Sequence, residues 1–315
     1  MRLERHVSIE RWPLAAPFRT ARIERTHTTV VVLRLRDGAH EGRSEHVPYE
    51  RYGETPEGVA AALRSLPLGA SRGGAAAGAL ADAWLDLTCK RQGRRAHALL
   101  RLPTPRPVAT LQSLGADTPD AMAEAARRTR RPVLKLKASG DAMLDLARIE
   151  AVHAAVPNAR LVIDANESWS EATYERLTPR LPSLGVVWLE QPFPAGADAA
   201  LSRLPHPVPV CADESVHVAS DVLALRDRYD AVNVKLGKSG GLVGALATLD
   251  VARRLGMRVM VGCMVSTSLA LAPAVLAAQR ADLADLDGAS FLRRDRVGAP
   301  TRGRWVVPSP VSFWG

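Results

Sequence analysis

From about residue 107 onward, short apolar runs recur along the chain with a steady period. They lie at 108–113, 133–138, 161–166, 186–191, 208–213, 231–236, 258–264 and 281–287, their centres about 22 to 28 residues apart. Between them, stretches such as 119–130, 142–156, 170–181, 220–228 and 241–255 carry apolar residues at helical spacing. Short apolar strands alternating with helices predict βα units and a parallel sheet. Eight units in roughly 180 residues fit an α/β fold, a closed (β/α)8-type barrel of modified TIM form. The runner-up, a doubly wound open sheet, lacks a Gly-rich phosphate fingerprint after an early strand.

Residues 1–105 follow another pattern. The runs 8–13 and 28–36 are β-like, the second containing Val30-Val31-Val32. A loop rich in Pro, Tyr and Gly follows at 46–56, then helical patterns at 57–65 and 74–91. This predicts an N-terminal α+β domain over 1–105, capping a barrel over 106–292. The boundary falls at Thr104-Pro105-Arg106-Pro107. The tail 293–315 has no further βα unit and is expected to pack back on the first domain.

Composition narrows the class. Apolar residues make up 47% of the chain, enough for a sizeable core. No apolar run reaches the roughly 18 residues of a membrane span. The N-terminal Met1-Arg2-Leu3-Glu4-Arg5-His6 alternates charged and apolar residues, unlike a secretory signal. The expectation is a soluble cytoplasmic protein with no membrane partner. Cys89, Cys211 and Cys263 form no metal spacing, and their odd number argues against a disulfide framework. The net charge of +9 raises a nucleic-acid partner. The charge is scattered, however, and aromatics at 4% are too few for a stacking surface, so no such partner is expected.

The basic residues themselves are informative. Of 42, only five are lysine, and four of these are Lys135, Lys137, Lys235 and Lys238. Arginine is the default cation here. Lysine offers a compact amine that can lose its proton when its surroundings depress its pKa.

Side chains alternate along a strand, so Lys135 and Lys137 share one face at the end of theirs. Asp164, Glu190 and Asp213 end the next three runs, and Lys235 the one after. Barrel enzymes place their chemistry at this rim. Three carboxylates held close are costly unless a cation neutralises them. All-oxygen ligation favours Mg2+, one per chain, with Mn2+ also compatible. Lys137 and Lys235 approach from opposite sides, which suits removing a proton from one face of a carbon and returning it to the other. A neighbouring ammonium, Lys135 beside Lys137, and a divalent ion both lower a lysine pKa from about 10.4. Proton loss next to a carboxylate leaves an enediolate, whose charge the metal stabilises.

These motifs resemble those of the enolase superfamily, in its muconate-lactonizing-enzyme subgroup: Lys135-Leu-Lys137, Asp164-Ala-Asn, Glu190-Gln-Pro, Asp213-Glu-Ser, and Lys235 followed by Lys238-Ser-Gly-Gly. The resemblance implies a Lys base with an ion stabilising an enediolate, and N-terminal loops that shape specificity. The last run, Ala-Asp285-Leu-Asp287-Gly, resembles the Asp-x-Asp of dipeptide epimerases, where the pair binds the substrate's ammonium. Matches at 48–54, 162–169 and 262–268 point further to bacterial L-Ala-D/L-Glu epimerases. The implied reaction is epimerisation at the α-carbon of a dipeptide's C-terminal residue, in recycling of cell-wall peptide. An acidic side chain needs a cation from the capping loops. Arg19, Arg22, Arg25 and Arg51 are candidates, with Arg22 and Arg25 best placed. Lys238 reads either as a support bonded near Asp213 or as a cation at the mouth of the site. A homo-oligomer is compatible with the sequence.

Rivals within the subgroup are an N-acylamino acid racemase or an o-succinylbenzoate synthase, which use the same lysines and ligands. Their substrates carry no free ammonium for Asp285 and Asp287. A rival of another class is a non-catalytic barrel acting as a binding protein.

Overall fold

The computed structural model describes residues 3–20, 23–69, 73–129 and 131–315. The chain begins with an antiparallel sheet of β1 (Glu4–Arg19), β2 (Glu24–Asp37) and β3 (His40–His46), ordered β1-β2-β3. Two helices, α1 (Pro56–Ser65) and α2 (Ala75–Gln92), follow. The Val30-Val31-Val32 run is buried throughout because each face of β2 has its own core. Val31, Leu33 and Leu35 pack against Leu63, Leu80 and Leu87 of the helices. Val30 and Val32 point the other way, into the core shared with the barrel. At Gly42 the sheet lies so close to α2 that a Cβ would come within 2.3 Å of Ala83 O.

After the short α3 (Ala96–Leu99) and β4 (Val108–Ala109) comes the barrel. In chain order it comprises β5 (Gln112–Leu114), α4 (Pro119–Thr129), β6 (Val133–Lys137), α5 (Ala142–Ala155), β7 (Arg160–Asp164), α6 (Glu171–Leu177) and β8 (Val186–Glu190). Then come β9 (Val210–Ala212), α7 (Ala219–Leu225), β10 (Ala231–Lys235), α8 (Leu236–Ser239), α9 (Gly241–Arg254), β11 (Arg258–Gly262), α10 (Ser268–Ala278) and β12 (Leu283–Asp285). The eight parallel strands pair in sequence order from β5 to β12. The ring closes where Leu111 N donates to Ala284 O (3.0 Å). Thr110 Oγ1 reinforces this seam, accepting from Leu286 N at 2.7 Å.

The barrel departs from eight full βα units in two places. Between β8 and β9 the chain forms only the 3-10 turn Ala199–Ser202. Pro192, Pro194, Pro205, Pro207 and Pro209 lack N–H donors and prevent a longer helix. After β12 only the 3-10 turn Gly288–Phe291 follows. The predicted run 108–113 also divides. Val108–Ala109 pairs with β14 (Trp305–Val306), which pairs with β13 (Thr301–Arg302), and only Gln112–Leu114 enters the barrel.

Inside the barrel, Leu111, Val162, Trp188, Cys211, Ala231, Met260 and Leu283 form an apolar plug, with Val133 packed against it. One alternation further along, the same strands present Lys135, Asp164, Glu190, Asn233 and Asp285, so the polar layer lies at their C-terminal ends. Above that rim sits the N-terminal sheet. The C-terminal segment runs back against the N-terminal elements: Arg293 N donates to Pro13 O of β1 (2.9 Å), and Gly315 N to Asp86 Oδ1 of α2 (2.7 Å). Among the described residues, no helix is long and apolar enough to cross a membrane. All three cysteines are free thiols.

Candidate active site

The structure brings Lys135, Lys137, Asp164, Glu190, Asp213, Lys235, Asp285 and Asp287 to one end of the barrel. The Lys135 ammonium lies 2.9 Å from Asp164, 2.8 Å from Glu190 and 2.8 Å from Asp285. Lys137 is 2.5 Å from Asp164. Across the ring, Lys235 is 2.6 Å from Asp213 Oδ2, and Lys238 is 2.6 Å from Oδ1 of the same carboxylate. The strands of Lys137 and Lys235, β6 and β10, are four steps apart around eight, hence diametrically opposed.

Lys238 donates to both the side chain and the main-chain carbonyl of Asp213 (2.6 and 2.5 Å). Of its two sequence readings, the supporting one fits. Asn233, missed in the sequence, donates to Glu190 at 2.8 Å. Its signal was there, two residues before Lys235 on the same strand face. Gln191 also holds the site, accepting from Asp213 N at 2.8 Å. Asn166, Glu167 and Gln191 adopt left-handed φ of 45°, 66° and 33° just past β7 and β8. For non-glycine residues that costs on the order of 1–3 kcal/mol each.

Charge divides these groups. Burial raises the Asp164 pKa, but Lys135 and Lys137 outweigh it and bring it down to about 2. Asp213 is likewise held well below the usual carboxylate range by Lys235 and Lys238 against burial. Glu190 goes up to about 7, through burial and the Asp164 charge. Glu214, beside Asp213, is buried and rises to about 8 for the same two kinds of reason. Burial lowers Lys135 and Lys235, yet the facing carboxylates hold both well above the ordinary lysine value. The depressed value expected for a base is therefore not the state of Lys235 here, because Asp213 faces it directly.

Asp164 and Glu190, ending β7 and β8, and Asp213, just past the adjacent β9, offer hard oxygen donors. Among the described residues, no three acidic, His or Cys side chains gather closely enough to cage an ion. Instead the Lys135 ammonium stands between Asp164 and Glu190. It does not satisfy them all: Glu190 Oε2 lies 2.8 Å from Lys135 but receives no hydrogen bond in bonding geometry. A buried acceptor without a donor and an all-oxygen set both fit a hard cation.

Asp285 faces the same Lys135 ammonium, and Asp287 lies just beyond β12. Asp287 accepts from Ser113 N at 2.6 Å. Burial and the charge of Asp285 push it up to about 7. The sequence places the pair within one strand, but Asp287 lies past the strand end, at the first position of the turn that follows.

Of the arginine candidates, Arg25 lines the cleft and its guanidinium lies over Tyr49, 5.7 Å from the ring centroid. Arg22 lies outside the described residues. Arg51 is engaged elsewhere, in a forked pair with Glu167 (3.0 and 2.9 Å). Arg19 pairs with Glu24 at the surface (3.0 Å). Neither Arg19 nor Arg51 lines the cleft. Tyr49 and Tyr52, their rings tilted by 58° with centroids 5.1 Å apart, line the site from the capping loop; both fall within the 48–54 match noted in the sequence.

An eight-stranded parallel barrel with opposed lysines around three strand-end carboxylates, beneath an N-terminal cap, defines a class. This chain belongs to the enolase C-terminal-like family, whose model matches residues 120–300. It is 40% identical over 299 residues to the L-Ala-D/L-Glu epimerase of Escherichia coli (strain K12), covering 91% of this chain and 93% of that one. It is also 36% identical over 286 residues to an N-acetyl-D-glutamate racemase of Pseudoalteromonas, covering 85% and 89%. Among solved structures, an enolase family member from Agrobacterium tumefaciens with homology to dipeptide epimerases superposes with TM-score 0.94 at 42% identity, covering both chains fully. That structure is described with bound sodium and L-Ala-L-Glu. A dipeptide epimerase from Methylococcus capsulatus, described with Mg and L-Arg-D-Lys, superposes with TM-score 0.89 at 27% identity, covering 100% of this chain and 99% of that one.

Proposed function

We propose that this chain is a metal-dependent dipeptide epimerase, an isomerase that inverts the α-carbon of the C-terminal residue, with L-Ala-D/L-Glu as its substrate pair. A role in recycling cell-wall peptide follows from that substrate. The observation that carries the reading is the opposition of Lys137 and Lys235 across the barrel.

One of these lysines takes the α-proton from its face of the substrate, and the other returns a proton to the opposite face. Lys135, charged and held by carboxylates, stands beside Lys137 on the same strand face. Mg2+ or Mn2+, one per chain, would be held by Asp164, Glu190 and Asp213 and would supply positive charge for the enediolate. Asp285 and Asp287 receive the substrate's ammonium, fixing its distance from the lysines. Arg25, with Arg22 as a further candidate, meets the acidic side chain of the C-terminal residue.

The test is incubation in D2O with Mg2+ and a dipeptide library, read by mass. L-Ala-L-Glu is expected to gain one deuteron and yield L-Ala-D-Glu. No uptake at the α-carbon of any dipeptide would sink the reading. The 36% identity to an N-acetyl-D-glutamate racemase favours a second reading, N-acylamino acid racemisation. Including N-acetylglutamate in the same library separates the two, because an acylated nitrogen offers Asp285 and Asp287 no cation.

A further inference from the structure

The segment 262–268, which leads from β11 into α10, forms one wall of the cleft through Cys263, Met264 and Val265. Its outer side is held by the capping sheet. Thr28 Oγ1 of β2 donates to Val265 O at 2.7 Å. Glu45 of β3 accepts from Thr267 N at 2.7 Å and from Thr267 Oγ1 at 2.5 Å. Arg296 of the C-terminal segment donates to Glu45 (2.6 Å) and reaches Glu10 (2.7 Å). The inner side of the wall presses on Gly288, where a Cβ would come within 2.3 Å of Met264 O. Gly288 immediately follows Asp287. A continuous line of contacts thus runs from Glu45 through the wall to Asp287.

A buried ion pair seldom stabilises more than apolar packing of the same volume, because desolvating both charges offsets their attraction. The Glu45 side chain is fully buried. Three chain segments meet on it, and its two bonds to Thr267 act on a loop whose other face is the cleft. Geometry, more than adhesion between domains, is what this arrangement provides.

We propose that Glu45 is a positioning residue for substrate recognition: through Thr267 it sets the 263–265 wall against Gly288 and so places Asp287 for the substrate's ammonium. The proposal rests on the ammonium-binding role given to Asp285 and Asp287 above.

The test uses the Mg2+-loaded enzyme with L-Ala-L-Glu. Glu45→Gln keeps an acceptor for Thr267 N but loses the charge; Thr267→Val removes the hydroxyl and leaves Glu45 paired with Arg296. Each is expected to raise KM about tenfold, the effect of losing one charge-assisted bond, with kcat within about twofold. Thr267→Ser, which keeps the hydroxyl, is expected to restore the parent KM. An N-acetylated dipeptide, used as a competitive inhibitor, should bind parent and variants equally. The proposal is overturned if KM stays at the parent value, if kcat and melting temperature fall together at constant KM, or if inhibitor binding weakens in step with KM. Parent activity with unchanged variant KM defeats this proposal alone. A parent inactive on every dipeptide defeats the epimerase reading and this proposal with it.

Discussion

Lys135 and Asp285, 150 residues apart in the chain, meet at 2.8 Å inside the barrel. Because Lys135 also faces Asp164 and Glu190, one buried ammonium balances three carboxylates at once. Removing it should therefore act on folding as well as on chemistry. Lys135→Met is expected to destabilise the protein by about 3–5 kcal/mol, the scale for leaving buried charges unpaired. Urea denaturation of parent and variant measures this directly. A stability loss under 1 kcal/mol would mean that water reaches these carboxylates.

Lys137→Ala and Lys235→Ala should each abolish epimerisation, with kcat down at least about a hundredfold, as for loss of a general base. Each variant keeps a base on one face only. Proton exchange in D2O should then survive for one stereoisomer in the first variant and for the other in the second. NMR of the α-proton resolves the two cases.

Asp287 gives a pH prediction with a definite sign. Its folded pKa of about 7 lies above the value of about 4 expected in the unfolded chain. Between these values the folded state holds a proton that the unfolded state has released, so stability falls as pH rises through this window. In the proposed ammonium-binding role substrate recognition runs the other way, because the ammonium needs the carboxylate ionised. kcat/KM is expected to climb as pH rises through about 7, and Asp287→Asn should lack that limb. Melting curves and initial rates across the same buffers check both signs.

Two arginines should behave differently. Arg25→Ala is expected to lower kcat/KM for dipeptides ending in Glu by about ten- to a hundredfold, while leaving neutral C-terminal residues nearly unaffected. Arg51→Ala instead frees Glu167, which also accepts from Ala195 N at 2.6 Å. Its effect should be similar for all dipeptides. A panel of dipeptides with acidic and neutral C-terminal residues separates them.

Chelation followed by Mg2+ addition should raise the melting temperature. An ion at about a hundred times its Kd stabilises the folded state by about 2.7 kcal/mol. Asp213→Asn should lose most of this rise. Differential scanning calorimetry reads it without turnover.

Much of the fold was legible in the sequence because strand and helix periodicities are local. Lys135 and Lys137 could be put on one face, and Asp164, Glu190, Asp213 and Lys235 at successive strand ends, from spacing alone. What spacing does not encode is which distant groups meet. Arg51 looked available for substrate until Glu167, 116 residues away, was seen to hold it. The Glu45 contact with Thr267 spans 222 residues and carries no local signal. The turn that carries Asp287 beyond β12 was hidden because an alternating Asp-Leu-Asp reads equally well as strand.

The barrel seam has a consequence for how the molecule assembles. Its two edges join late in the chain: Ser113 and Asp287, which bond across it, are separated by 174 residues. Closing so long a loop costs more entropy than closing a short one. Asp287 stands there with one oxygen on Ser113 N. A ligand cation at Asp287 would fasten a stave of the barrel as well as position a substrate. Amide exchange at Leu111 and Ser113 would then slow in its presence, making these two protons reporters of occupancy from outside the chemistry.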